Sequence, residues 1–334
     1  MKRVITGVFS ALFLLSAITV QAQKEKTKEK FEFVKEKTIA KTYTATGNKL
    51  SIDNSFGQVK FIAWTKNEIR VDIHIEAGSN QENLAQKILD AISVSDKHQG
   101  NEIEFKTKID NKESKIDNCK GCKSNMQIDY EVHLPVSVPL NVTNSFGDIE
   151  LPDYTGAVSV TSKFGNLTSG SLSNLKDIGV EFGSATIKNI SNIDATFKFS
   201  KIDIASLGGK NTIKLEFCDA TKIGLANNLT SLNLNESYST VNIKPGNVSA
   251  SYTISTSFGS VVDRTSAGIK RTDSPDKYGP DSEKTYEGKT GSGTAKIDIK
   301  SSFGKIIVGE PTAEDMKDKK DKTKNKSGKE KVVI

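Results

Sequence analysis

Asn144-Ser145-Phe146-Gly147 contains a Phe-Gly step that the chain repeats, and this repeat is the main indication of the fold. The same step follows Ser, Lys or Glu at Phe56, Phe164, Phe182, Phe258 and Phe303, and degenerate copies lie at Phe199, Phe217 and Tyr238. From Phe146 onward, successive aromatic residues are 18, 18, 17, 18, 21, 20 and 45 positions apart. A period of about 20 residues is typical of a solenoid, in which each repeat packs on the one before it.

Apolar and polar residues alternate around each aromatic residue. The fourth residue before it and the third after it are apolar in all nine copies, as Ile178 and Ala185 are around Phe182. Before the aromatic residue the apolar positions are even offsets, which predicts a strand with one buried face. After it they are odd offsets, and a phase change at glycine predicts a corner or bulge. Each repeat is therefore predicted to be strand, corner, strand and turn.

This repeat predicts an all-β fold, a single-stranded parallel β-solenoid or β-helix with about 18–21 residues per coil. The alternative is a sandwich of antiparallel hairpins, whose strands recur every ~8–12 residues with turn signals between them. We favour the solenoid because the period spans two strands and the aromatic residue keeps one phase. The aromatic residues are predicted to stack inside the coil as a structural ladder of Phe56, Phe146, Phe164, Phe182, Phe199, Phe217, Tyr238, Phe258 and Phe303.

The N-terminal residues 1–22 have the pattern of a secretory signal peptide. Lys2 and Arg3 precede an apolar run, and Val20-Gln21-Ala22 is a small-residue cleavage site. The apolar run is shorter than the ~18 residues that a membrane span needs. We therefore expect an exported protein, in the periplasm or at the cell surface, that does not span the membrane after cleavage. Residues 23–37 are charged, and we expect them to be frayed.

Residues 38–139 are predicted to form an N-terminal cap and the first coil. Within them, Ser79-Asn80-Gln81-Glu82 is a capping-box pattern. Apolar residues at helical spacing then predict one short amphipathic helix over 80–92. We expect this helix to cover an open end of the solenoid, because an uncapped end exposes strand edges.

Residues 140–310 are predicted to form the regular β-solenoid. The long spacing before its last aromatic residue marks an insertion, and the Pro and Gly residues of 264–293 predict an irregular loop there. Residues 311–334 are rich in Lys and poor in apolar side chains, which predicts a disordered tail.

The charge balance argues against a nucleic-acid binder. The chain has 47 Lys and Arg against 41 Asp and Glu, a net charge of +6, and much of the excess lies in the two charged ends. Its four arginines are Arg3, Arg70, Arg264 and Arg271. A nucleic-acid interface needs a basic face that usually carries Arg. We therefore expect no nucleic-acid partner.

Two segments of the sequence resemble a known family. NSFGQVKFIAWTKNEIRVDIHIEA (54–77) and YEVHLPVSVPLNVTNSFGDIEL (130–151) resemble the "putative adhesin" domain family of bacterial cell-envelope proteins. The resemblance covers about 40–310. It implies a β-solenoid with one FG-x-I/V step per coil, and it supplies no catalytic residues. This chain departs from the pattern where the Gly of the step becomes Ser200, Cys218 or Ser239.

Three cysteines bear on the redox chemistry. Cys119 and Cys122 lie three positions apart in a polar loop. A c-type haem site would need His after the second Cys, and a zinc site needs about four ligands. In an exported protein we expect a local disulfide between them, with metal binding and a redox dithiol as the alternatives. Cys218 takes a corner position that Gly usually holds, and we expect a lone, partly buried thiol.

No catalytic constellation stands out, since His74, His98 and His133 are widely spaced and each fits a strand or loop position. We therefore expect no cofactor, no metal site and no enzyme activity. The predicted function is a non-enzymatic, exported cell-envelope protein, an adhesin-like binding or scaffold module. One alternative is a β-helix enzyme that processes polysaccharide, and another is an interaction module of an envelope signalling or assembly system.

The partner is predicted to be an envelope polysaccharide or another envelope protein. The insertion 264–293 is the predicted contact, because binding residues concentrate on loops that a rigid scaffold carries. Its cations and tyrosines suit sugar rings and acidic groups, and the candidate ligand contacts are Arg264, Lys270, Arg271, Tyr278 and Tyr286.

Overall fold

Strands make up nearly all the regular structure of residues 30–110, 121–275 and 281–312, which the computed structural model describes. The first part contains β1 (Phe33–Thr44), β2 (Lys49–Ser55), β3 (Val59–Ala63), β4 (Glu68–Ser79), α1 (Glu82–Ala91), β5 (Ile92–Gln99), β6 (Glu102–Ile109) and β7 (Ser124–Leu134). The middle part contains β8 (Leu140–Ser145), β9 (Ile149–Leu151), β10 (Val158–Lys163), β11 (Asn166–Leu172), β12 (Leu175–Glu181), β13 (Ser184–Ser191), β14 (Asp194–Lys198), β15 (Lys201–Glu216) and β16 (Thr221–Ser237). The last part contains β17 (Thr240–Lys244), β18 (Ala250–Ser257), β19 (Ser260–Arg264), β20 (Lys270–Arg271), β21 (Glu283–Lys289), β22 (Ala295–Ser302) and β23 (Lys305–Gly309).

In the middle of the chain, equivalent strands of successive repeats pair in parallel. The strands before the aromatic residue form one series, in which β10 lies between β8 and β12. The strands after it form a second series, in which β11 lies between β9 and β13. The register places Val160 beside both Val142 and Ile178, which occupy the same position of their repeats. Like residues therefore stack on like residues from one repeat to the next.

The sheet as a whole is mixed, so a parallel solenoid is not confirmed for the chain. At the N-terminal end, β4 is antiparallel to both β1 and β7, and β5 is antiparallel to β6. At the other end, β21 is antiparallel to β18 and β20. A chain that reverses at each end can cover an edge of its own sheet, which limits edge-to-edge association. The all-β class and the short helix are confirmed.

The last two strands do not follow the order of the sequence. β22 lies between β16 and β18, and β23 lies between β17 and β19, with parallel pairing on both sides. The final repeat along the chain is therefore an internal repeat of the stack.

The core is built from the alternating apolar positions. The residues four positions before each aromatic residue are all at most 1% exposed, and they are Ile52, Val142, Val160, Ile178, Ala195, Ile213, Leu234, Ile254 and Ile299. Burial of a side chain of this size contributes roughly 1.5–3 kcal/mol. The repeated pattern thus supplies the same stabilising contact in every repeat.

The corner of each repeat has an unusual backbone. The nine aromatic residues have φ between 50° and 64°, in the left-handed region. The following Gly is needed because the repeats approach closely there. A Cβ on Gly147 would lie 1.9 Å from the carbonyl oxygen of Gly57, and one on Gly165 would lie 2.0 Å from that of Gly147. The Phe-Gly step therefore encodes a left-handed corner followed by tight backbone stacking.

The expectation that the aromatic side chains lie inside the coil is wrong. All nine are 38–55% exposed, whereas the second residue before the aromatic residue points inward, as Asn144 and Val180 do with 0% exposure. The left-handed backbone at the corner turns the ring away from the core. Loss of one ring should then remove about 0.5–1.5 kcal/mol per ring contact, which is less than the ~3–5 kcal/mol of a buried Phe.

Helix α1 is shorter than predicted and lacks the capping box. It runs over Glu82–Ala91, and its N-cap residue Gln81 makes no side-chain cap. The Ser79 hydroxyl instead accepts a hydrogen bond from the Gln81 N–H at 3.1 Å and donates one to the Lys123 carbonyl oxygen at 3.0 Å. The buried face contains Leu84 and Ile88. The helix contacts β1 and β4, and its role as a cover for an open solenoid end stays a prediction.

Two other boundaries differ from expectation. β1 begins at Phe33, inside the segment 23–37 that was expected to be frayed, because its residues pair with β4. The segment 264–293, expected to be an irregular loop, contains β20 and β21. The predicted signal peptide and nearly all of the predicted tail lie outside the described residues. Among the described residues, no helix is long and apolar enough to cross a membrane.

Candidate functional site

The nine aromatic rings form one continuous stack, which we call the aromatic stack. Neighbouring ring centroids are 4.8–5.0 Å apart and their planes differ by 2–9°. This spacing follows the separation of paired strands. In stacking order the rings are Phe56, Phe146, Phe164, Phe182, Phe199, Phe217, Tyr238, Phe303 and Phe258.

The aromatic stack is a surface feature. Its rings cover one another's faces, so their exposed fractions, from 38% at Phe56 to 55% at Phe258, lie mainly at the ring edges. Aromatic edges carry a partial positive charge, which suits carbonyl and hydroxyl oxygens as well as apolar groups. A contiguous exposed apolar strip of this kind marks an interaction surface more often than isolated apolar residues do.

One flank of the aromatic stack carries an alternating series of charges, which we call the charge ladder. Lys163, Glu181, Lys198 and Glu216 occupy the position before the aromatic residue in four successive repeats. The Lys163 Nζ lies 3.5 Å from the Glu181 Oε2, and the Lys198 Nζ lies 3.1 Å from the Glu216 Oε2. These four side chains are 36–45% exposed, so the ladder is open to solvent.

The opposite flank is mostly polar. The Asp148 Oδ1 accepts from the backbone N–H of Asn166 at 2.8 Å and from its side-chain amide at 3.0 Å. The Ser184 hydroxyl donates to the Asn166 Oδ1 at 2.6 Å. These bonds link three successive repeats, and they hold the polar side chains in a fixed row beside the rings.

Arg271, a predicted ligand contact, is already engaged within the chain. Its guanidinium donates to the Asp273 carboxylate at 2.7 Å and to the Asp281 carboxylate at 2.6 Å. The hydrogen bonds to Asp281 and Asp273 raise the pKa of Arg271. Arg271, followed by the backbone N–H of Thr285, lowers the pKa of Asp273 to about 2. These contacts, which we call the Arg271 clamp, hold the β20–β21 hairpin together. The Arg271 guanidinium, which we predicted to contact an acidic group of a ligand, is therefore paired with carboxylates of its own chain.

The other predicted contacts that the structure describes differ in their exposure to solvent. Tyr286 is half-buried against the core, opposite Ile254 of β18, and burial raises its pKa. Lys270 lies exposed on β20, and Arg264 lies exposed at the end of β19. Tyr278 lies outside the described residues. The hairpin that carries Lys270 and Tyr286 covers an edge of β18, so its main observed role is to close the sheet.

Of the two predictions about cysteines, the structure tests only the one about Cys218. Cys119 lies outside the described residues, so the disulfide with Cys122 stays a prediction. Cys218 is a free thiol, but it is fully buried instead of partly buried. Its Sγ donates to the Phe197 carbonyl at 3.3 Å, and burial raises its pKa. A buried thiol with a raised pKa is a poor nucleophile, so Cys218 serves packing.

A set of metal-ligand donors, missed by the sequence analysis, lies on β1 and β4. Ligand atoms of Glu36, His74 and Glu76 all lie within 4.8 Å of one another. The antiparallel register places Glu36 directly opposite Glu76. Two carboxylates and an imidazole are donors that a divalent transition metal accepts. His74 and Glu76 share one face of β4 because they are two positions apart, but only the cross-strand register adds Glu36, which is remote in the sequence.

No protein-family model and no curated protein matches the sequence. Among solved structures, a "putative cell adhesion protein" from Clostridium sporogenes is 11% identical, with 83% of this chain and 100% of that chain covered and a TM-score of 0.23. A "putative adhesin" from Bacteroides fragilis is 13% identical, with 81% and 97% covered and a TM-score of 0.36. A "putative adhesin" from Parabacteroides distasonis is 11% identical, with the same coverage and TM-score. TM-scores this low carry no argument about the function of this chain.

Proposed function

We propose that this chain is a non-enzymatic, exported binding or scaffold module of the bacterial cell envelope, and that the aromatic stack is its contact surface. The observation that carries the proposal is the exposure of all nine rings, at 38–55%, along one continuous strip. In this proposal the parallel series from β8 to β16 is a solenoid segment, whose regular repeat keeps neighbouring rings 4.8–4.9 Å apart.

The corner alone does not require an aromatic side chain. A left-handed residue other than Gly or Asn costs roughly 1–2 kcal/mol, and Asn adopts this conformation more readily than Phe. Exposed apolar area adds a further cost of about 25 cal/mol per Å². The chain nevertheless places Phe or Tyr at all nine corners. Stacking between rings offsets part of this cost, and a binding partner that covers the ring edges would offset more.

The flanks define what kind of partner fits. A strip of ring edges between a charge ladder and a row of hydroxyl and amide groups suits an elongated partner with apolar and polar groups along its length. An envelope polysaccharide or the surface of another envelope protein has this chemistry. The proposal replaces the insertion 264–293 as the contact, because its hairpin covers β18 and its Arg271 is already paired.

Retention on isolated cell envelopes tests the proposal. The test variant is the triple substitution Phe146→Asn, Phe164→Asn and Phe182→Asn, because Asn keeps the left-handed corner and removes the rings. We expect retention to fall at least about tenfold, as for loss of central aromatic anchors. The matched variant places Tyr at the same three positions, as the chain itself does at Tyr238, and it should keep retention.

Two results would contradict the proposal. One is unchanged retention of a triple Asn variant whose circular dichroism and melting temperature remain near those of the parent chain. The other is release of soluble saccharide from the envelopes by the parent chain, since a depolymerising activity would make the protein an enzyme.

A further inference from the structure

We infer that the partner of the aromatic stack is a second copy of this chain, packed antiparallel about a twofold axis that passes between Phe182 and Phe199. The inference rests on the proposed function, since it names the partner of the same contact surface. It follows from the exposed area of the stack, the symmetry of a twofold contact and the order of charges in the charge ladder.

The exposed area of the stack is sufficient for a specific contact. At this register Phe258 has no counterpart, and the other eight rings, at roughly 200 Å² each and a little under half exposed, offer on the order of 700 Å². Each partner of a standard-size protein interface buries about 800 Å². A strip of this area, aromatic at its centre and polar along both sides, has the composition of an interface core with its rim.

A twofold axis perpendicular to the strip and parallel to the surface reverses the order of the repeats. It leaves each flank on its own side, so the charge ladder of one copy faces the charge ladder of the other in the opposite order. The ladder reads Lys163, Glu181, Lys198, Glu216 along the stack. Reversed, it reads acid, base, acid, base, which complements the original order.

The position of the axis is fixed by these charges. With the axis between Phe182 and Phe199, Lys163 faces Glu216 of the second copy, and Glu181 faces its Lys198. With the axis through Phe182, Glu181 would face its own counterpart and Lys163 would face Lys198. An axis through Phe199 would likewise place Lys198 against Lys198. Only this register places all four ladder residues opposite a residue of opposite charge. An axis one repeat away pairs two of them, and the two registers half a repeat away bring like charges together.

The polar flank accepts the same register. The axis between Phe182 and Phe199 places Asn166 opposite Asp219 of the second copy and Ser184 opposite Lys201. Neither pair brings like charges together. Both flanks therefore permit the contact at the register that the charge ladder selects.

Sedimentation velocity of the purified chain at micromolar concentration tests the inference. The variants reverse the charge of Glu181, of Lys198, or of both, and we call this set the charge exchange. We expect a dimer for the parent chain. Glu181→Lys alone places lysines opposite each other twice, and Lys198→Glu alone does the same with glutamates. Each single variant should raise the dissociation constant at least about tenfold, as expected for like charges facing each other at an interface.

The double variant Glu181→Lys, Lys198→Glu should recover the dimer. Within one chain it breaks the ion pairs of 3.5 and 3.1 Å, because it puts a second lysine beside Lys163 and a second glutamate beside Glu216. Recovery can then come only from the contact between copies, where opposite charges again face each other. Circular dichroism of each variant checks that the fold is retained. A monomeric parent chain, or a double variant no better than the singles, would overturn the inference.

Envelope retention of the same variants separates this inference from the proposed function. If the parent chain is monomeric while its triple Asn variant loses retention, the dimer is wrong and the proposed function stands. If charge exchange behaves as expected while neither the parent chain nor its variants are retained on envelopes, the dimer stands and the envelope role fails.

Discussion

At the scale of single residues, the Phe-Gly step has two separate roles. The aromatic residue adopts a left-handed backbone, with φ of 57° at both Phe164 and Phe182, and presents its ring to solvent. The Gly has no Cβ, so its backbone can lie close to the carbonyl oxygen of the neighbouring repeat, as Gly165 does to that of Gly147. Where Gly is replaced, the side chain points inward, and Ser200 and Cys218 are both buried. The degenerate steps are therefore corners with a different interior contact.

Gly165→Ala should destabilise the protein. Its Cβ would lie 2.0 Å from the Gly147 carbonyl oxygen, and a backbone atom cannot move aside as a flexible side chain can. We expect a loss of about 1–3 kcal/mol, the range for overpacking a tight site. The measurement is a urea or thermal unfolding curve of the purified variant.

Gly179→Ala is the matched control. Its Cβ would meet only the Thr196 carbonyl oxygen at 3.8 Å, which is an ordinary contact. We expect this variant to unfold within about 0.5 kcal/mol of the parent chain. Similar unfolding curves for the two alanine variants would mean that the close approach at Gly165 is not a determinant of stability.

At the scale of elements, the β20–β21 hairpin closes one end of the sheet. β21 pairs with β18 over seven positions, from Ser251–Lys289 to Ser257–Glu283. The Arg271 clamp joins β20 to Asp273, which follows it, and to Asp281, which precedes β21. Removal of this hairpin would leave one edge of β18 without a partner, and exposed strand edges promote aggregation.

Acidification should loosen this hairpin before it affects the core. Arg271 lowers the pKa of Asp273 from 3.8 to about 2. A lowered carboxyl pKa means that the stabilisation is fully present above pH 3.8 and is lost as the pH falls through about 2. We therefore expect amide protection in β21, measured by hydrogen exchange and corrected for the intrinsic rate, to fall between pH 4 and pH 2.

Asp273→Asn should give the same loss of β21 protection already at neutral pH. Asp177→Asn, an exposed substitution on β12, is the control and should leave β21 protected. Equal protection of β21 in both variants across this pH range would show that the clamp does not hold the hairpin.

At the scale of the whole molecule, stability should depend on contacts between neighbouring repeats. β22 and β23 provide the contact between β16–β17 and β18–β19. The buried Glu236 supports this order, because Ser301 of β22 donates to its carboxylate and the backbone N–H of Ser239 does so at 3.1 Å. In a stack of repeats, removal of one layer affects its neighbours most.

Truncation after Gly293 removes β22 and β23, and it should release β18 to β21 while the first part of the array remains folded. The expected result is loss of amide protection over 250–289 with retained protection over β8 to β14. Truncation after Thr312 is the control and should preserve both regions. Retained protection of β18 in the shorter chain would mean that β18 can pack directly on β16.

The fold class and the positions of the repeats could be predicted from the residues alone. Alternation of apolar residues is a local property, and it correctly located buried positions such as Val160 and Ile178. The repeat period located every corner, where the nine aromatic residues adopt a left-handed backbone. These features could be predicted because neighbours in the chain encode them.

The direction of the rings, the order of the last repeats and the antiparallel ends could not be predicted in this way. The ring direction depends on the sign of φ at Phe182 and its equivalents, and a period-2 pattern does not report a change of backbone conformation at one residue. The position of β22 between β16 and β18, and the meeting of Glu36 with Glu76, depend on pairing between strands far apart in the chain. Such pairing is selected by the packing and edge contacts of the assembled sheet, which no local stretch of sequence contains.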